Sequence, residues 1–276
     1  MNKKIPFYKM SGSGNDFILI DNRQGLVQDE ILEQLIVGAC RRRMSVGSDG
    51  LILIEKSEQA DFRWRFYNAD GSRAEMCGNG ARCAARFANL VGIADIKQSF
   101  ETDVGPVSAE IINDRVKIGM TRPAGLKTDQ NLDLGGTHLS YDFINTGVPH
   151  AVIFCDDIED VDVFGTGGLI RFHDAFAPAG TNVNFMQILN RKAIAVRTYE
   201  RGVEDETLAC GTGCVAASLV AALRHGWDSP VDVRTRSGGL LRIYFKQQET
   251  KFSDVYLEGD ARIIYEGNLW EEAWKS

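Results

Sequence analysis

Long runs of positive charge are missing from this chain. No run of Lys or Arg is longer than Arg41–Arg43, and the 276 residues carry a formal net charge of -7. That balance argues against an electrostatic grip on nucleic acid or on an anionic membrane surface. Long hydrophobic runs are missing as well. Stretches such as 215–223 fall well short of the roughly 20 residues that cross a bilayer. Near the amino terminus, where Lys3 and Lys4 lead, Pro6, Tyr8 and Lys9 interrupt the apolar stretch a secretion signal would need. A cytoplasmic location is expected. Cysteine is limited to Cys40, Cys77, Cys83, Cys155, Cys210 and Cys214, with no C-x-x-C pair and no Cys/His cluster at zinc-site spacing. In a reducing compartment neither a disulfide framework nor a bound metal is expected. G-x-G-x-x-G and the Walker Gly-Lys-Ser/Thr are both absent, which makes nucleotide binding a poor fit. With 44% apolar and 25% charged residues and no Pro, Ser or Gln tract, the chain should be folded throughout and serve a small-molecule partner.

What is present is written twice. Cys-Gly-Asn-Gly at 77–80 recurs as Cys-Gly-Thr-Gly at 210–213, 133 positions later. Gly47-Ser48-Asp49 and Gly180-Thr181-Asn182 keep that offset of 133, as do Thr102 with Gly105 and Thr235 with Gly238, while Tyr67-Asn68 and Tyr199-Glu200 stand 132 apart. Several ordered correspondences at one offset imply two similar domains. The expected division is 1–122 with the tail 266–276 for the domain carrying Cys77, and 123–265 for the domain carrying Cys210. Arg122 to Thr137, with Pro123, three glycines and no apolar periodicity, reads as the connection.

Within each half, short β-branched or aromatic stretches bounded by Gly, Asn or Asp read as strands. They run over 17–21, 51–55, 62–67, 107–112 and 116–120, then 151–154, 184–189, 193–199, 231–234, 240–245 and 255–257. One Ala-rich helix follows each cysteine motif: Ala81 to Val91, closed by Gly92, and Cys214 to His225, closed by Gly226. The second is apolar nearly all round and should be buried within its own domain.

Each Cys-Gly-x-Gly therefore opens a helix. A helix start leaves unpaired N–H donors and a partial positive end, which bind a carboxylate and favour a thiolate. Free cysteine titrates near 8.5, and a helix start is expected to lower that. Two such cysteines, brought to opposite sides of one substrate by paired domains, suit inversion of an α-carbon. A base on one face removes a proton while an acid on the other delivers one. For Cys40, Cys83, Cys155 and Cys214 the reading is that of small buried hydrophobes.

Met10-Ser-Gly-Ser-Gly-Asn-Asp-Phe17, the run from Asn68 through Glu75-Met-Cys-Gly-Asn-Gly to Cys83, and Tyr199-Glu-Arg-Gly202 leading to Ala209-Cys-Gly-Thr-Gly-Cys214 resemble the diaminopimelate epimerases nearly end to end. The resemblance implies a mixed α/β fold of two pseudo-symmetric domains, each a curled mixed sheet or barrel around a central helix, and a homodimer. It implies interconversion of LL- and meso-2,6-diaminoheptanedioate without a cofactor, with Cys77 and Cys210 as paired acid and base. By motif, Gly78, Asn79, Gly211 and Thr212 match the amides that hold the reacting carboxylate. Asn15, Asn68, Asn182, Glu200 and Arg201 match contacts to the rest of the substrate, and His150 and Glu200 match groups that adjust the thiols. Gly50 and Val148 depart from the Gln and Asn of many relatives, leaving backbone contacts there. Read without the resemblance, Asn15, Asn68 and Asn182 suit turns or caps, His150 suits a satisfied structural histidine, and Glu200 with Arg201 suits a surface ion pair. A two-cysteine racemase for another amino acid, a thiol redox switch and a plain ligand-binding module remain as alternatives. Solvent deuterium entering an amino acid separates the enzymes from the switch, and the pH dependence of thiol reactivity exposes the plain binder.

Overall fold

The computed structural model describes residues 4–74 and 76–275. Lys3 of the amino-terminal segment, Glu75 of the first cysteine motif and Ser276 of the tail lie outside the described residues. The chain packs as two compact units, one formed by 1–118 with 259–276 and the other by 119–258.

In the first unit β1 (Ile5–Gly12) and β2 (Asn15–Asp21) form a hairpin, and α1 (Asp29–Cys40) leads to β3 (Gly50–Glu55), which lies parallel to β2. β4 (Phe62–Asn68) returns antiparallel to β3, α2 (Gly78–Leu90) crosses to β5 (Lys97–Thr102), parallel to β4, and β6 (Gly105–Ile112) and β7 (Arg115–Gly119) complete a meander. The second unit repeats the scheme. β8 (Ala124–Asp133) pairs with β9 (His138–Asn145), β9 turns into β10 (Pro149–Phe154), and α3 (Val163–Arg171) leads to β11 (Asn182–Asn190), parallel to β10. β12 (Ala193–Glu200) and the short β13 (Asp205–Thr207) precede α4 (Gly211–His225). α4 crosses to β14 (Val231–Arg234), parallel to β12, and β15 (Leu240–Gln248) and β16 (Lys251–Asp260) follow antiparallel. β17 (Arg262–Leu269) belongs to the first unit and pairs with β1, as β8 pairs with β9.

The central strands are apolar on both faces because helices cover both. Ile18, Ile20, Leu51 and Leu53 pack with Leu32, Leu35, Ile36 and Ala39 of α1, while Phe17, Ile52 and Trp64 crowd Gly80 of α2. In the second unit Ala151, Ile153, Val183 and Phe185 pack with Val163 and Ile170 of α3, and α4 packs on the opposite side against β9–β12, β14 and β15. The apolar sequence of α4 is accounted for by its burial from Gly213 through Ala222. Gly226, at φ 61°, ends it in the left-handed conformation that favours glycine.

Three expectations need correction. Arg122–Thr137 is no linker: its middle is β8, whose register against β9 slips twice, between Ala124 and Lys127 and between Lys127 and Gln130. Each slip resets the two-residue alternation, so no periodicity survives in the sequence. Each unit also holds a second helix, and both central helices begin at the first motif glycine, three residues before the Ala-rich stretch. Among the described residues no helix is long and apolar enough to cross a membrane.

Candidate active site

Cys77 is the N-cap of α2. Its extended backbone turns the Gly80 amide toward Sγ, which accepts at 3.5 Å. Cys210 is the N-cap of α4, with Sγ 3.5 Å from Thr212 Oγ1, while Thr146 Oγ1 donates to the Thr212 carbonyl at 3.0 Å. Cys77 is half-buried and Cys210 buried. The motif glycines are not equivalent. Gly78 has ordinary room for a Cβ, whereas at Gly213 a Cβ would collide with Asn184 Oδ1 and sit 3.2 Å from Thr198 Oγ1.

In the first unit, Asn15 and Asn79 are joined in a directed chain of hydrogen bonds. Asn15 Nδ2 donates to Asp49 Oδ2 at 3.0 Å, Asn79 Nδ2 donates to Asn15 Oδ1 at 2.8 Å, and Arg82 Nη2 donates to Asn79 Oδ1 at 2.8 Å and to Ser13 Oγ at 2.7 Å. Ser13 Oγ in turn donates to Asp260 Oδ1 at 2.9 Å. Arg82 is wholly buried, and Nε adds a bond to the Asp260 carbonyl. Gly50 lies opposite Asn68 in the β3–β4 register, and a Cβ on it would stand 2.5 Å from the Tyr67 carbonyl oxygen, so a longer side chain would require the strand to shift. Asn68 is exposed and its Nδ2 donates to Ser72 Oγ at 3.0 Å, closing a turn.

In the second unit His150 and Asn182 are neighbours across the parallel β10–β11 pair. Asn182 is buried, with Nδ2 donating to the Pro149 carbonyl and Oδ1 accepting from the Arg201 amide, both at 2.9 Å. It is a link between strands rather than a turn residue. Arg201 Nη1 donates to the Ala179 carbonyl at 3.0 Å, and among the described residues its guanidinium has no carboxylate partner, so Glu200–Arg201 is no ion pair. Glu200 accepts from Thr207 Oγ1 at 2.9 Å, and burial holds its carboxyl above the usual range. Val148 is half-buried and its carbonyl accepts from the Thr146 amide at 3.1 Å. His150 is fully buried, and that burial, with the charge of Arg201, pushes its pKa down to about 3.

The expected lowering of the thiol pKa is not found at Cys210. Burial, then the negative charge of Glu200, push this thiol well up, and the donors at the helix start offset only part of that. Of the remaining cysteines, Cys83 is pushed up to about 12 and Cys155 to about 11, each mainly by burial. No group of three or more His, Cys, Asp or Glu placed to hold a metal occurs among the described residues.

The family model for diaminopimelate epimerase matches residues 7–125 and 143–264. The chain belongs to the diaminopimelate epimerase family. Diaminopimelate epimerase of Aquifex aeolicus is 44% identical over 279 residues, covering 97% of this chain and 99% of that one. The diaminopimelate epimerase of Chlorobaculum tepidum is 43% identical over 264 residues, covering 94% and 99%. Among solved structures, a phenazine biosynthesis protein of the PhzF family from Bacillus anthracis superposes at a TM-score of 0.73 with 16% identity, covering 97% of this chain and 99% of that chain. A hydroxyproline epimerase from Agrobacterium vitis does so at 0.68 with 14% identity, covering 99% and 94%. At such identities the likeness shows the mixed α/β fold alone.

Family motifs pointed to Asn15, Asn79, His150 and Asn182. They gave no role to Ser13 and Arg82, which lie inside the quoted motifs, or to Asp49, Asp260, Asn184 and Thr198, which hold Asn15, Asn79 and His150 directly or through one another. Burial is the available signal: Arg82, Asn184 and Thr198 are polar yet almost wholly buried, where an unsatisfied polar group is costly.

Proposed function

We propose that this chain interconverts LL- and meso-2,6-diaminoheptanedioate, a step supplying lysine and peptidoglycan precursors, with Cys77 and Cys210 as the two proton-transfer groups. The observation that carries the reading is the duplicated one: two units with one strand-pairing scheme each set a cysteine as N-cap of the central helix. Membership of the diaminopimelate epimerase family supplies the substrate.

In the reaction a thiolate takes the α-proton from one face while the opposite thiol delivers its own to the other, and the reverse direction exchanges the roles. Burial and Glu200 favour the protonated form of Cys210 in the free protein. The amides of Gly78, Asn79, Gly211 and Thr212 receive the carboxylate of the reacting centre, where charge grows as the C–H bond breaks. Arg201 takes the distal carboxylate, and the family resemblance assigns Asn15, Asn68, Asn182 and Glu200 to the rest of the substrate, with backbone groups from Gly50 and Val148. His150 acts as a neutral neighbour, since its ring stays uncharged. We place the enzyme in the cytoplasm, and the family resemblance implies a homodimer.

The test is incubation with LL-diaminopimelate in D2O without added pyridoxal phosphate, followed by NMR of the α-protons. Deuterium should enter as the meso isomer forms. Cys77→Ala and Cys210→Ala should each abolish turnover, whereas Cys40→Ala and Cys155→Ala should leave it largely intact. Near wild-type turnover in either of the first pair would refute the two-base assignment.

A further inference from the structure

Asn184 is the third residue of β11, wholly buried, and none of the motifs singles it out. Its amide is used at both ends. Nδ2 donates to the Ala151 carbonyl and approaches His150 Nδ1, each at 3.0 Å, while Oδ1 accepts from Thr198 Oγ1 at 3.0 Å. A backbone carbonyl can only accept, so its contact fixes which end of the amide is nitrogen. With Nδ2 as the donor, His150 Nδ1 must be the acceptor and carry no proton. A neutral imidazole then bears its proton on Nε2.

That Nε2 is buried and has no hydrogen-bond partner among the described residues. Orphaned buried donors are rare and costly in native proteins. The ring also lies where the charge of Arg201 bears on it, a setting that draws an anion. Asn184 Oδ1 occupies the space a Cβ of Gly213 would need, so the same amide that orients His150 also abuts the first turn of α4.

The geometry points to Asn184 as a positioning residue: it holds His150 as a neutral imidazole protonated at Nε2, a fixed donor to an anionic acceptor of the bound substrate and not a proton-transfer group. The assignment rests on the proposed epimerase reading for its substrate but not for the tautomer, which is a property of the free protein.

Two measurements test it. In long-range 1H–15N NMR of histidine-labelled protein, with His150 assigned through His150→Gln, wild type should show an unprotonated Nδ1 and a protonated Nε2. Both signals should be unmoved from about pH 8 to about pH 5. Asn184→Asp replaces the donor with a carboxylate, which should draw the proton to Nδ1. It should lower kcat/KM for epimerisation by at least ~10-fold and add an acid limb to its pH profile. If that protein does not fold, Asn184→Ala serves, with a mixture of tautomers and a smaller loss expected. A proton on Nδ1 in wild type, or a ring that titrates across this range, overturns the tautomer. An altered tautomer with unchanged kcat/KM and pH profile overturns the positioning role. Absence of any epimerisation by wild type would sink the proposed function, while the spectra would still decide the tautomer.

Discussion

Arg82 Nη2 donates to Asn79 Oδ1 from a guanidinium with no exposed surface, one turn inside the helix that Cys77 caps. Because Asn79 must then point its nitrogen at Asn15, and Asn15 its nitrogen at Asp49, the cation and the carboxylate together fix the direction of both amides.

Asp49→Asn removes the acceptor-only end of this chain and lets Asn15 flip. The expected result is a fall of about tenfold in kcat/KM for diaminopimelate, the scale of one positioned hydrogen bond, with little change in the urea midpoint. Arg82→Met should behave differently. It leaves Ser13 Oγ, Asn79 Oδ1 and the Asp260 carbonyl without their buried donor, and should lower unfolding free energy by about 3 kcal/mol or more. Urea titrations of both proteins read the contrast.

Glu200→Gln removes the negative charge that, after burial, holds the Cys210 thiol up. The thiol pKa should move down, so iodoacetamide should label Cys210 faster at a fixed pH near 8. Stability should respond with a definite sign. Burial raises the pKa of Glu200 in the folded state, so its contribution is present below the unfolded value and lost as pH rises through the folded one. Glu200→Gln should therefore be the more stable protein at neutral pH, and the advantage should vanish in acid. Urea denaturation at several pH values checks this, and an advantage that grew in acid would contradict it.

Arg201 is the long, permanently charged donor among the residues assigned to the substrate, and its fork matches a carboxylate. Lysine shares the chain of diaminopimelate but lacks the second carboxylate. It should be epimerised at least ~100-fold less efficiently, a gap of roughly 3 kcal/mol. Arg201→Met should narrow the gap by impairing diaminopimelate. Comparable kcat/KM for the two substrates in wild type would move a two-cysteine racemase of broader range ahead.

Gly38 sits inside α1, where alanine would ordinarily gain about 1 kcal/mol of helix propensity. A Cβ there would stand 2.5 Å from the Trp274 carbonyl oxygen, and backbone does not yield cheaply. Gly38→Ala should therefore destabilise. Trp274→Ala, which empties a place in the core shared with Leu35 and Ala39, should cost about 3–5 kcal/mol. Thermal or urea unfolding tests both, and a stabilised Gly38→Ala would show that the tail is not packed on α1 as described.

The parts of this fold legible in sequence were those whose chemistry is local. Runs such as 51–55 and 193–199 are apolar enough to be strands in any setting, and Gly92 and Gly226 mark where α2 and α4 stop. α1 was missed although Leu32, Leu35, Ile36 and Ala39 have helical spacing, since Gln28 makes no capping bond and no glycine follows Cys40. α3 carries three glycines and reads as loop. In β1 an inward Lys9, paired with Asp16 at 2.7 Å, breaks the expected alternation. The cysteines and their glycines were readable because they recur. Asn184 and Arg82 were not, because Ala151 lies 33 residues from the first and Asp260 lies 178 from the second.

β17 hydrogen-bonds to β1, from Ile5 opposite Leu269 to Ser11 opposite Arg262, and it follows the whole of 119–258 in the chain. On a ribosome, therefore, the first unit to begin is the second to finish. β1 emerges early and keeps one edge open until β17 is made, on the order of ten seconds later at ordinary elongation rates. Meanwhile the second unit, contiguous in sequence, already has every strand it needs. An unpaired edge bearing Phe7 and Met10 is a template for wrong partners during that interval. Its Lys9, and Pro6 with no N–H to offer, are residues that discourage such pairing.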